Sequence, residues 1–280
     1  MVINSRHHAT DRASLYAGSD FRTDNNRTPV NPLRSLSWAC VLLVSLSTTC
    51  WPCAAAEPDW RDYAALLAAH VQVGERDAVT LNLVDYQALA SDPRLPAALA
   101  ALEGFSLARL AGPREWIAFH INAYNLLTLN MVVTHQPLKS IKDIGNFLRP
   151  VWQRNAGRLD GESVSLADIE HRRLRKRGDA RIHFAIVCAS VSCPDLRPEP
   201  YRAATLDNQL NEQVVRFLGN PHKGLRVTPE RVHVSQIFDW FAADFASAGG
   251  VAGFIGRYLS LPAARELVAD LDYNWRLNGR

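Results

Sequence analysis

From residue 57 onward, apolar positions recur at helical spacing in several blocks. DWRDYAALLAAHV (59–71) predicts an amphipathic helix, and YQALASDPRLPAALAAL (86–102) a second helical stretch interrupted at Pro93 and Pro96. The strongest block starts at Pro113, a favourable first-turn residue behind Gly112, and runs to His135. Its apolar residues lie all around the helical wheel, which predicts burial on most sides. TLDNQLNEQVVRFLGN (205–220) predicts a helix that starts at Thr205 and stops at Gly219, and IFDWFAADF, VAGFIGRYL and AARELVADL predict short closing helices.

Two stretches change to an alternating pattern. GRLDGESVSL (157–166) reads as a hairpin turning at Asp160-Gly161, and GLRVTPERVHVS (224–235) as another. Behind the first hairpin, Ser165 with Asp168 three residues on marks a helix start. RIHFAIV (181–187) is a short apolar run bounded by turn signals, which suits a buried strand. Helices and antiparallel hairpins mix without a βαβ rhythm. The expected fold is a single α+β domain, with a mostly buried central helix on a small, largely antiparallel sheet and further helices around it.

The ends of the chain differ in composition. Arg34 precedes LSWACVLLVSL (36–46), and Ala54 and Ala56 then form an A-x-A site. That arrangement predicts a signal peptide over 34–56, cleaved after Ala56, and hence a periplasmic or secreted protein. The apolar stretch is too short for a membrane span, which needs about 20 residues. Residues 1–33 are polar and patternless, and read either as a disordered leader or as sequence upstream of the true start. The domain then covers 57–280, with its core at about 113–220.

Composition adds one exclusion. The chain is 48% hydrophobic with a net charge of only +3, and its one basic cluster, RRLRKR (172–177), has no interleaved aromatic residues. There is no glycine-rich phosphate loop. No nucleic-acid partner and no cofactor is expected. The expected partner is a small-molecule or peptide ligand.

Signal cleavage would remove Cys40, Cys50 and Cys53 and leave only Cys188 and Cys193. The five Cα steps between them span about 16–18 Å when extended, whereas a disulfide needs Cα atoms about 4.4–6.8 Å apart. ASVS must therefore fold back for the pair to meet. An even pair in an exported protein suggests a disulfide. A zinc clamp lacks two further ligands, so no metal is expected. A reactive thiol needs a base. His183 on a regular strand would sit on the face opposite Cys188, about 16 Å away. It would reach Cys193 only through a doubled-back loop, and His171 and His233 are alternatives. All of these readings stay open at this level, as does a pair of inert thiols.

Three polar residues stand on apolar faces. On the helix from Leu166 to Arg177, Glu170 falls inside the stripe of Leu166, Ile169 and Leu174. A carboxylate there should be paired, with Arg173 the candidate, or shifted in pKa. Asn122 and Asn125 share a face of the buried helix. Their amides either pin neighbouring loops or bind substrate.

IAFHINAYNLLTLNMVV, VSLADIEHRRLRK, RIHFAIVCASVSCPDLRPEPY, SQIFDWFAADF and DYNWRLN, in this order, resemble the family catalogued as domain of unknown function 547. The resemblance implies a single-domain exported bacterial protein without a settled activity. The chain departs from the family pattern at His120, where tryptophan is usual, at Val187, and at Asn274, which replaces an aspartate.

The functional expectation is a thiol-dependent hydrolase or transferase acting on an amide or thioester bond. Cys188 or Cys193 would attack, His183 or His171 would act as base, Glu170 would orient it, and Asn122 or Asn125 would bind substrate or the oxyanion. The alternative is a non-catalytic binding or scaffold protein stapled by a Cys188–Cys193 disulfide.

Overall fold

A computed structural model of the chain describes residues 57–262 and 265–280. The leader, the apolar stretch at 36–46 and the Ala54/Ala56 site lie outside the described residues. Among the described residues, no helix is long and apolar enough to cross a membrane.

The fold is α+β. Helix α1 (Arg61–His70) leads into a hairpin, β1 (Val71–Arg76) and β2 (Val79–Val84). Short α2 (Tyr86–Ala90) and α3 (Arg94–Glu103) follow. The break between them is at Ser91–Pro93; Pro96 lies in the first turn of α3, where its missing N–H costs no helical bond. The β1–β2 hairpin carries no prediction in the sequence. Its two-residue turn is Asp77-Ala78, both at positive φ (53° and 60°), without the glycine that usually marks such a turn.

Helix α4 (Pro113–Thr134) is the centre of the larger core, and every residue from Ile117 to Leu129 is buried. It touches α2, α3, the hairpin β3 (Asn155–Leu159)–β4 (Glu162–Ser165), and the turn that follows. Asp160 and Gly161 make that hairpin turn with φ of 51° and 79°. Ser165 and Asp168 close a reciprocal cap, each backbone N–H donating to the other's side chain at 3.1 Å. The segment beyond, Asp168–Leu174, is wound as a π-helix rather than an α-helix and tightens to a 3₁₀ turn at Arg175–Arg177. Arg173 pairs with Glu162, not with Glu170.

Helix α5 (Leu206–Leu218) runs between Thr205 and Gly219 as predicted. Then come β5 (Leu225–Val227), β6 (Arg231–Ser235), α6 (Ile237–Trp240), α7 (Gly250–Gly256) and β7 (Glu266–Leu271). Among the described residues, the β structure is divided among two hairpins and a three-stranded sheet ordered β5-β6-β7, in which β5–β6 is antiparallel and β6–β7 parallel. Phe184, Phe217, Phe238, Phe245 and Phe254 fill a second core beside that sheet.

Two local expectations are corrected. In place of the expected helix over AARELVADL, Glu266–Leu271 is a strand paired with β6. Leu267, Ala269 and Leu271 alternate along it, and this period of two fits a sheet edge that packs on the phenylalanine core. RIHFAIV is not a strand. Ala180–Phe184 is a 3₁₀ turn capped by Asp179, whose side chain accepts from Arg181 N–H. Ala180 and Phe184 face the phenylalanine core, while Ile182, Ala185 and Ile186 face the α4 core, so the run divides its burial between two clusters. The backbone partners that a strand would need are replaced by one side chain: Asn125 donates to Ala185 C=O at 3.0 Å and accepts from Val187 N–H at 2.9 Å.

Candidate functional site

The turn at Ala180–Phe184 places His183 on the same side as the cysteine loop, which a regular strand would have prevented. After Val187 the chain reverses at Ala189, a buried non-glycine residue at φ 58°. This left-handed conformation costs about 1–2 kcal/mol and is held by its surroundings. The C-terminal segment supplies them. Asn278 N–H donates to Ala189 C=O at 3.1 Å, Val191 N–H to Arg276 C=O at 2.9 Å, and Asn274 N–H to Ser192 Oγ at 2.8 Å. Asn274 also ties this segment to the first hairpin through Asp77. Behind the loop, the buried Lys223 ammonium donates to Cys193 C=O at 2.9 Å and pairs with Asp195 at 2.6 Å.

ASVS therefore folds back, and the two sulfurs meet. Cys188 and Cys193 are free thiols with Sγ atoms 2.8 Å apart, so the expected disulfide is not formed in this structure. Their environments differ. Cys193 is buried, and burial together with the adjacent Cys188 raises its pKa well above the usual thiol range. Cys188 borders a half-open cleft. Burial alone would raise it, but hydrogen bonds from Cys193, Ser190 Oγ (3.2 Å) and Tyr273 OH (3.2 Å) prevail and bring it down to about 7.

The cleft encloses about 190 Å³. Cys188, Cys193, His171, His183 and Glu170 all line it, so the five catalytic candidates come together. Trp152, Trp240, Phe241, Tyr273 and Trp275 add an aromatic wall, in which the rings of Trp240 and Trp275 stack 5.8 Å apart.

His183 is set from two sides. Its ring stacks on Phe241 at 4.0 Å, and Nε2 meets Asp244 Oδ2 at 2.7 Å. Asp244 is itself gripped by Arg175 through both oxygens, at 2.6 and 2.8 Å, which holds its pKa below the usual carboxylate range. An ionised Asp244 can only accept, so Nε2 carries the proton. Burial lowers the His183 pKa to about 4 despite the carboxylate. The ring is neutral at pH 7, and Nδ1 is a buried lone pair without a hydrogen-bond partner. His171 accepts from Arg175 at 3.2 Å, and burial lowers its pKa.

Glu170 is the other perturbed group. Burial raises it to about 7, with Arg175 opposing the shift and Cys188 and Asp244 adding to it. It sits in the π-helical segment, a winding that recurs at functional sites.

Asn122 and Asn125 do not line the cleft. Asn122 donates to Tyr201 C=O at 2.9 Å and accepts from Tyr201 N–H at 2.8 Å, and Asn125 clamps Ala185 and Val187 in the same way. His233 pairs with Asp270 in the three-stranded sheet and is not a cleft residue. The basic run is used locally: Arg172 pairs with Asp168, Arg173 with Glu162, Arg175 with Asp244, and Arg177 lies over Trp116. Among the described residues, no three potential ligands gather as a metal site.

Residues 107–218 match the model of the family described as "Protein of unknown function, DUF547". No curated protein and no solved structure matches the chain. The DUF547 segment contains α4, the π-helical turn, the 3₁₀ turn and the cysteine loop, and so provides Glu170, His171, His183, Cys188 and Cys193. Trp240 and Tyr273 lie beyond the matched segment and complete the cleft, and Asp244, also beyond it, supports the site through its bond to His183. Asp244 and Tyr273 carry no signal of a site role along the sequence. Nothing in the spacing of IFDWFAADF or DYNWRLN relates them to a histidine or a cysteine 61 and 85 residues earlier.

Proposed function

We propose that this DUF547 protein is a thiol-dependent hydrolase or transferase acting on an amide or thioester bond, with Cys188 as nucleophile. One observation carries the reading. A partly exposed thiol with a lowered pKa shares a cleft with a neutral histidine oriented by a carboxylate, and with a glutamic acid whose pKa is raised to about 7. His183 Nδ1, which makes no hydrogen bond to Cys188 Sγ in this structure, takes the thiol proton once substrate is bound, as Cys188 Sγ attacks the carbonyl carbon. Glu170 protonates the leaving group, and an acyl thioester forms on Cys188. The Glu170 carboxylate then deprotonates water or an acceptor, which attacks the thioester, and His183 returns its proton to the departing sulfur. Asn122 and Asn125 act here by positioning backbone rather than by touching substrate. Export through a signal peptide ending at Ala56 belongs to the same proposal and is supported by the apolar stretch at 36–46 and the A-x-A site.

The test is the alkylation rate of the full chain by iodoacetamide as a function of pH, with turnover of activated thioesters measured on wild type, Cys188→Ser and Cys188→Ala. The expected result is alkylation at Cys188 with a midpoint near 7 and loss of turnover in both folded variants. Undiminished turnover in the variants, or a midpoint in the ordinary thiol range, would remove the nucleophile. A binding protein would show the second pattern.

A further inference from the structure

Cys193 has no assigned role in the reaction above, yet its sulfur lies closer to Cys188 Sγ than any other side-chain atom hydrogen-bonded to it. We propose that Cys193 is a resolving thiol, which closes a reversible disulfide with Cys188 after Cys188 has attacked a low-molecular-weight disulfide. This inference rests on the reading of Cys188 as a nucleophile.

Three observations carry it. The first is distance. The sulfurs are 2.8 Å apart, against about 2.05 Å in a disulfide, so closure needs a displacement of less than about 1 Å. The second is access. Both cysteines border the cleft, but Cys193 is only 3% exposed and Cys188 is the more open of the two, so a small disulfide meets Cys188 first. The third is preorganisation. The loop keeps its shape with both thiols reduced, through the turn at Ala189 and the hydrogen bonds from the C-terminal segment.

The exchange balances in two steps. Cys188 thiolate attacks one sulfur of R–S–S–R, forming Cys188–S–S–R and expelling one RS⁻ with the electron pair. Cys193, as thiolate, then attacks Cys188 Sγ and expels the second RS⁻. The backbone N–H of Cys188 already donates to Cys193 Sγ at 2.8 Å and so stabilises that attacking thiolate. The two protein protons end on two RSH molecules; the protein is oxidised by two electrons and the small disulfide is reduced. The closed form has no nucleophile, so oxidation turns the cleft off and a dithiol reductant turns it on.

Oxidised glutathione is the probe, and the readout is the mass of the peptide holding Cys188 and Cys193 cut from the treated full chain, so Cys40, Cys50 and Cys53 do not contribute and no substrate is needed. Wild type should become two hydrogens lighter without an adduct, and dithiothreitol should reverse this. Cys193→Ser should carry one stable glutathione, and Cys188→Ser none. Cys193→Ala serves as a second test if the serine variant does not fold, with circular dichroism as the check. A stable adduct on wild-type Cys188 would overturn the resolving role and leave the nucleophile standing. Absence of any adduct on Cys188 in both Cys193 variants would overturn the inference and the nucleophile together.

Discussion

Asp244 accepts the Nε2 proton of His183 at 2.7 Å across 61 residues of chain, and this bond decides what the histidine can do. It fixes the tautomer. The unprotonated nitrogen is Nδ1, and it has no hydrogen-bond partner in the protein. Asp244→Asn keeps the shape and removes the charge. The amide can present either its oxygen or its NH₂ to the ring, so the tautomer is no longer set. Turnover should fall by about 10²–10⁴-fold with little change in stability. The measurement is kcat/KM beside a urea melt; unchanged kcat/KM would show that His183 is not the base.

Glu170 makes a prediction about pH. Its folded pKa of about 7 lies above the usual 4.5, so the folded state holds a proton that the unfolded state releases. Below about pH 4.5 both states are protonated and nothing is lost. As pH rises to about 7, this group progressively destabilises the fold; above that its contribution is flat. The carboxyl borders a cleft, so water recovers part of the cost, and a loss on the order of 1–3 kcal/mol is expected. Glu170→Gln should be flat over that window and more stable than wild type at pH 8. Parallel urea curves for the two proteins at pH 5 and pH 8 would contradict this.

Asn125 replaces the ladder that a strand over 181–187 would have had. Asn125→Ala leaves Ala185 C=O and Val187 N–H unpaired in the core, which should cost about 3 kcal/mol. It should also loosen the approach to Cys188. The expected signature is a lower urea midpoint and faster amide exchange at Val187. A change within about 0.5 kcal/mol would mean that the turn is held by burial alone.

Ala78 is exposed at φ 60° in the turn of the first hairpin. Glycine accepts that conformation without the clash that alanine suffers. Ala78→Gly should stabilise the protein by about 1 kcal/mol, read as a higher urea midpoint at unchanged slope. Asp77 should be left alone, because its carboxylate is bonded to Asn274 and Arg276.

Much of the scaffold is local and was readable along the chain. The all-round apolar wheel of α4, the Asp160-Gly161 turn, the Ser165–Asp168 cap and the Thr205–Gly219 limits of α5 each depend on residues a few positions apart. The misplaced polarity of Glu170 was also a local signal, and it led to a group with a raised pKa. Three things depended on distant neighbours. Glu266–Leu271 became a strand because β6 offered it an edge. Ala180–Phe184 became a turn because two cores shared its side chains and Asn125 replaced its ladder. His183 gained Asp244, and Cys188 gained Tyr273, from elements whose own spacing points to neither. Local spacing specifies period, turns and caps. The pKa of a buried group depends on which charges and donors the packed chain brings beside it, and only the folded arrangement contains that information.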